Sequence, residues 1–176
     1  MGSNHTILTI GAFIILTSIL QNFYRILGAT GDDIGDAQDM ILANTIATSY
    51  VEIAQGLSFD SYTDTANVAL GSPSVLTSPS LLGPESSSED SIQTLDDFDD
   101  FNGKLYEKEA VGANKRFKTS FRVYYVDPNN VTAISPSTRT FVKRIDLRTW
   151  RSYPPIDGLV TDTLRASFVM GYWHFD

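Results

Sequence analysis

An uncharged run opens this chain: residues 6–20 read TILTIGAFIILTSIL, and Arg25 is the single charge before Leu27. A helix over residues 6–27 would be about 33 Å long at about 1.5 Å per residue, enough to cross the hydrocarbon core of a bilayer. A segment of this kind exposes too much apolar surface to remain alone in water and must be covered by lipid or by protein. No Lys or Arg precedes the run, so it matches a secretory signal peptide poorly. Two readings remain at this point. One is a single-pass anchor, and the other is a helix that packs against copies of itself.

The next residues, GATGDDIG at 28–35, place Gly28, Gly31 and Gly35 within one short stretch. Each glycine costs about 1 kcal/mol relative to Ala inside a helix, so a hinge or non-helical break over 28–35 is predicted in the assembled state. Asp32, Asp33 and Asp36 would suit the N-terminus of a fresh helix through its dipole. Beyond them Met40, Ala43, Ala47, Tyr50, Ala54 and Leu57 recur at three- and four-residue spacing, flanked by Ile41, Ile46, Val51 and Ile53. This predicts an amphipathic helix over 36–57 that ends near Gly56. Its apolar stripe is too wide for a solvated helix and calls for a sheet on one side and other subunits on another.

Residues 58–94 are dense in Ser, Thr, Pro and Gly, the composition of irregular chain, and are expected at the outer surface or in subunit contacts. After residue 94 the period becomes two. Phe117, Thr119, Phe121, Val123 and Tyr125 alternate with Lys118, Ser120, Arg122 and Tyr124, and DPNN at 127–130 supplies a turn. Phe141, Ile145 and Leu147 alternate with Arg144, Asp146 and Arg148 in a further strand. Leu164 to Tyr172 form a last strand and Leu105 to Val111 an earlier one. The chain therefore divides into an N-terminal helix at 1–57, a loop region at 58–94 and a β domain at 95–176. The fold class is α+β: a long helix whose amphipathic half covers one face of a four-stranded antiparallel sheet.

Several functions are disfavoured by content. A net charge of −8 and a pI near 4.6 oppose binding to nucleic acid, and the Lys and Arg of residues 104–151 are interspersed with acids. There is no cysteine, which removes disulfides and thiolate chemistry, so durability must come from packing or assembly. His5 and His174 lie near opposite ends of the sequence, and no catalytic spacing is readable; an enzyme is not expected.

An apolar then amphipathic N-terminal helix, a variable loop and an antiparallel sheet together resemble the type IV pilin and pseudopilin superfamily. Within this layout, NTIATSYVEIAQGLSFDSYTD at 44–64 looks like the helix end of minor-pilin-type proteins, and LDDFDDFNGKLYEKE at 95–109 resembles the acidic stretch that opens their sheet. RVYYVDPNN and FVKRIDLRTW resemble their central strand pair. The resemblance implies a structural subunit of an extracellular filament, inserted in the membrane before assembly, with copies of itself and an inner-membrane assembly machinery as partners and an unidentified surface receptor. The residues expected to form the filament core are Ile7, Leu8, Ile10, Phe13, Ile14, Ile15, Leu16, Ile19, Leu20 and Phe23. A minor pilin of a secretion or uptake machine and an anchored, non-polymerising binding domain are the competing functions. Cleavage after Gly2 would make Ile7 the fifth residue, where the family carries a glutamate. Register between subunits is then expected from residues 58–94 and from the aromatic C-terminus at 171–176.

Three further features bear on sites. Asp96, Asp97, Asp99, Asp100 and Asn102 offer the oxygen density that calcium wants, although the spacing of a helix-loop-helix calcium loop is missing. Charge runs are usually solvated, so the leading expectation is an exposed acidic turn, with Phe98 and Phe101 burying one side. The tyrosines and tryptophans are expected in core and interface packing. Asn130, in the predicted turn, begins an N-x-T glycosylation pattern.

Overall fold

A computed structural model describes residues 3–65, 68, 72–155 and 163–173. The fold is α+β, with one long helix, α1 (Ser3–Gln55), followed by a short helix, α2 (Ser61–Thr65), and five strands. Two compact units are separable, Met1–Met40 and Ile41–Asp176.

The first unit is helical throughout its described length. Its few hydroxyls do not compete with the backbone. Thr17 donates to the Phe13 carbonyl at 2.8 Å, Ser18 to Ile14 at 2.9 Å and Thr30 to Ile26 at 2.9 Å, the back-bonding that lets a hydroxyl sit on an apolar helix. Residues 28–35, where a break is expected in the assembled state, are α-helical in the single chain, and nothing lies near the positions where Gly28, Gly31 and Gly35 would carry a Cβ. Glycine raises the local cost of helix without forbidding it. Once helix is nucleated on both sides, each further residue adds a hydrogen bond, which carries the ladder across the glycines.

In the second unit the strands are β1 (Leu105–Ala110), β2 (Lys115–Asp127), β3 (Asn130–Ile134), β4 (Val142–Tyr153) and β5 (Thr163–Gly171). The antiparallel sheet runs β1-β2-β4-β5, with β3 pairing only with the far end of β2. Four strands thus make the body of the sheet, as expected, and β3 is an addition made by the 127–130 turn. The inward face of β2 is Phe117, Thr119, Phe121, Val123 and Tyr125, the predicted set, all buried. Its neighbour β4 presents Lys143, Ile145, Leu147 and Thr149. Thr119 and Thr149 are directly opposed and hydrogen-bonded at 2.9 Å, which satisfies both hydroxyls inside the core.

Ala43, Ile46, Ala47, Tyr50 and Ala54 of α1 close this face, packing with Leu95, Phe98, Phe101, Phe121 and Leu147. Three alanines in that stripe let the helix backbone approach the sheet closely. Tyr50 fills the space between them, edge-on to Phe121 and stacked with Tyr106. Met40, predicted in the stripe, and Ile41 and Ile53, predicted to flank it, are exposed.

Residues 58–94 are less peripheral than their composition implied. Phe59, Val68 and Leu76 form a second buried cluster with Tyr125, flanked by Leu82, Phe141 and Tyr172. A short parallel pairing of Ser58 with Asp97, completed by the Phe98 amide donating to the Ser58 carbonyl at 2.9 Å, sets the chain leaving α1 beside the turn that enters the sheet. Gly103 has a φ of +78°, a left-handed conformation that costs glycine little, where this turn enters β1.

Candidate functional site

Two features are candidates for chemistry or assembly. The first is the apolar surface of α1. Ile7, Leu8, Ile10, Phe13, Ile14, Ile15, Leu16, Ile19, Leu20 and Phe23 are all exposed, from 46 to 72 %. They point in every direction around the helix, because they occupy consecutive as well as turn-spaced positions. Among the described residues this is the one helix long and apolar enough to cross a membrane. Exposed apolar side chains continue beyond it at Ile26, Leu27, Ile34, Met40, Ile41 and Ile53.

The second feature is a buried polar assembly where Phe59-Asp60, the 96–102 turn, β2 and β4 meet. Phe98 and Phe101 are fully buried and draw the turn into the core, and Asp97, Asp99 and Asp100 are buried with them. The expectation of a solvated acidic turn is therefore corrected. Phe98 and Phe101 carry the backbone between and beside them inward, and the carboxylates of Asp97, Asp99 and Asp100 go with it.

The turn is held by its own backbone. Asp97 Oδ1 accepts the amides of Asp99 and Asp100 at 2.8 and 3.2 Å, and Asp100 Oδ2 accepts those of Asp96 and Asp97 at 2.9 and 3.3 Å. Asp99 instead pairs with the fully buried Lys143, whose Nζ also donates to Asp60 Oδ2 and to the Phe59 carbonyl, each at 2.8 Å. The rings of Phe59 and Tyr125 face this ammonium at 4.6 and 5.3 Å. Asp60 collects further donors, the Thr77 amide and hydroxyl at 3.0 to 3.2 Å, and the Tyr125 hydroxyl lies 3.2 Å from it while donating to the nearer Thr77 carbonyl at 2.8 Å. One carboxylate thus ties the chain after α1 to the loop at Thr77, to β2 and, through Lys143, to β4 and the acidic turn.

Burial raises several of the carboxyls around this assembly. Asp97 is pushed up to about 9 by desolvation and then by the neighbouring Asp99 charge, and Asp100 is pushed up to about 6, chiefly by desolvation. Asp99 is also raised by burial, with Lys143 opposing the shift. Glu85 is raised by partial burial.

The sequence-level metal candidates separate accordingly. Asp96, Asp97 and Asp100 come together, joined by Glu85 from the loop region, with one carboxylate oxygen of each within 4.8 Å of the others. Asp99 belongs to Lys143. Asn102 braces the scaffold, its Nδ2 donating to the Leu82 carbonyl at 2.9 Å and its Oδ1 accepting the Val123 amide at 3.0 Å. Sequence reading missed Glu85, Asp60 and Lys143. For Lys143 a signal existed, since it has the inward parity of Phe141 and Ile145. Asn130 is exposed at the start of β3, its Oδ1 accepting the Thr132 hydroxyl at 2.6 Å. Gly171 and Tyr172 lie against the domain, Trp173 is 80 % exposed, and residues 174–176, with His174, fall outside the described residues.

A long N-terminal apolar helix on an antiparallel sheet is a pilin-like architecture. Comparison with protein-family models, with curated proteins and with solved structures gave no match.

Proposed function

We propose that this chain is a structural subunit of an extracellular pilus-like filament and polymerises through its apolar N-terminal helix. The observation that carries the reading is where exposed apolar surface stops. An anchor needs such surface over about 20 residues, which residues 6–27 already provide. Here Ile34, Met40 and Ile41 remain exposed further along the same helix, and Ile53 lies two residues from its end. Met40 is about 20 Å beyond Leu27 along the axis at about 1.5 Å per residue, outside the hydrocarbon layer that covers residues 6–27. Packing of neighbouring helices against one another would cover this surface along its whole length, whereas a bilayer would cover only the first part.

The helix interface in this reading consists of Ile7 to Phe23 in the dry core, with the sheet facing outward. Its polar groups are hydroxyls bonded to their own backbone, so van der Waals packing rather than directed polar contacts holds the bundle. Ile14→Asp and Ile15→Asp each place a carboxylate in that core while leaving the domain untouched. Both should abolish surface fibres in sheared fractions viewed by electron microscopy, with the domain still folded and the chain still membrane-associated. Normal fibres from both variants would refute the proposal. Wild-type chain found only in the membrane fraction would favour the anchored binding domain instead.

A further inference from the structure

We propose that Glu85, Asp96, Asp97 and Asp100 form a binding site for a hard divalent cation, with dimensions that suit calcium. A cluster of acids on a surface would not carry this. What carries it is that Asp97 and Asp100 are fully buried and only half satisfied. Each spends one oxygen on two backbone amides, and the others, Asp97 Oδ2 and Asp100 Oδ1, have no hydrogen-bond partner. A buried carboxylate oxygen without a donor is costly, and native folds rarely keep one without an ion, a water or a function to account for it.

The nearest buried cation does not fill this role. The three donors of Lys143 are directed to Phe59, Asp60 and Asp99. Lys104, close in sequence, donates to the Glu89 carbonyl at 2.7 Å and lies 3.6 Å from Asp90. Two buried and two exposed carboxylates therefore converge without a countercharge bonded to the orphaned oxygens. This arrangement presents a rigid inner wall, fixed by backbone amides, and an outer side open to solvent.

The all-oxygen ligand set and the size of the cluster suit calcium. Oxygens on one calcium stand about 2.3–2.6 Å from it, so ligands on opposite sides are about 4.6–5.2 Å apart, and the observed ceiling of 4.8 Å fits that sphere. Magnesium, at about 2.0–2.1 Å, needs a tighter and more regular octahedron and keeps more of its water. An all-oxygen, carboxylate-rich set with no nitrogen or sulfur also disfavours zinc and copper.

The consequence is mechanical. Glu85 belongs to the 58–94 region, whereas the three aspartates belong to the turn that carries Phe98 and Phe101 into the core. An ion held between them fastens the loop to the sheet, and with it the neighbouring exposed surface at Leu81. The site is independent of filament formation and is testable on dispersed chains.

The test is calorimetric titration of calcium chloride into the full-length chain, stripped with chelator and held in zwitterionic detergent, together with thermal melts with and without calcium. The expected result is saturable binding of about one equivalent per chain, a higher Tm with calcium, and a weaker response to magnesium. Glu85→Gln and Asp96→Asn, both at exposed positions, should each weaken binding by on the order of tenfold or more. Asp127→Asn, an acid outside the cluster, should leave it unchanged. Absence of saturable binding by the folded wild-type chain overturns the proposal, as does unchanged affinity in both cluster variants. Equal affinity for magnesium overturns the assignment to calcium.

Discussion

Replacing Lys143 by Met is the sharpest probe of the domain's interior. Met fills a similar volume but removes the only cation bonded to Asp60 and Asp99 among the described residues. The two acids do not suffer equally. Asp60 keeps the amides of Tyr62 and Thr77 and the Thr77 hydroxyl, so its carboxylate still meets several donors. Asp99 loses its one strong partner and already has an unsatisfied Oδ2, so it must take up a proton or open the turn. Breaking a buried pair in this way costs about 3–5 kcal/mol. For a cooperative unit the size of residues 41–176, each kcal/mol lowers Tm by roughly 3–5 °C, giving a fall of about 9–25 °C. Melting of the full chain in detergent, followed by near-UV circular dichroism and by the fluorescence of Trp150 and Trp173, reads this directly. Adding Asp99→Asn to Lys143→Met should recover on the order of 1 kcal/mol, because the stranded charge is removed along with its partner. A fall in Tm below about 3 °C for the single variant, or strict additivity in the double, would show that the ammonium is not what neutralises the buried acids.

Two more expectations concern packing and assembly. Ala47→Leu forces a larger side chain between α1 and the sheet, where Ala47 is almost fully buried, and should cost about 1–3 kcal/mol by thermal melt; a neutral result would mean that the helix seat has spare volume. Leu81→Ser with Trp173→Ala removes exposed apolar side chains without touching the core. Unchanged Tm with disordered or absent fibres is expected, and fibres of unchanged helical symmetry would place register in the helix bundle instead.

How much of this was legible depended on whether the signal was local. The strand at 117–125 and its inward face were plain because every second residue obeys one period, and the seat of the helix was plain at Ala43, Ala47, Tyr50 and Ala54 for the same reason. Gly28, Gly31 and Gly35 lower the local helix propensity, which propagation overrides in the single chain, while the break expected of them concerns the assembled state. β3 was missed because Asn130–Ile134 is short and largely exposed, leaving no burial pattern. The acidic turn was read as solvated although Phe98 and Phe101 on either side already pointed inward. Glu85 and Asp60 were out of reach, because nothing near them in sequence tells which distant turn or strand the loop will meet. Lys143 was within reach: a lysine on the buried parity of a strand demands acids opposite, and Asp60 and Asp99 are those acids.

The central claim is that the apolar helices of many copies pack together. Helical reconstruction by electron microscopy of fibres sheared from the cell surface tests it most directly. The account predicts density for this chain repeated along the fibre, with Ile7 to Phe23 of neighbouring copies in mutual contact around a dry axis and the antiparallel sheet outermost. The same map reports whether residues 28–35 keep their helix or break once neighbours surround them. Fibres built from another chain, or a fibre axis formed by the sheet domains with the N-terminal helices outside it, would contradict the account.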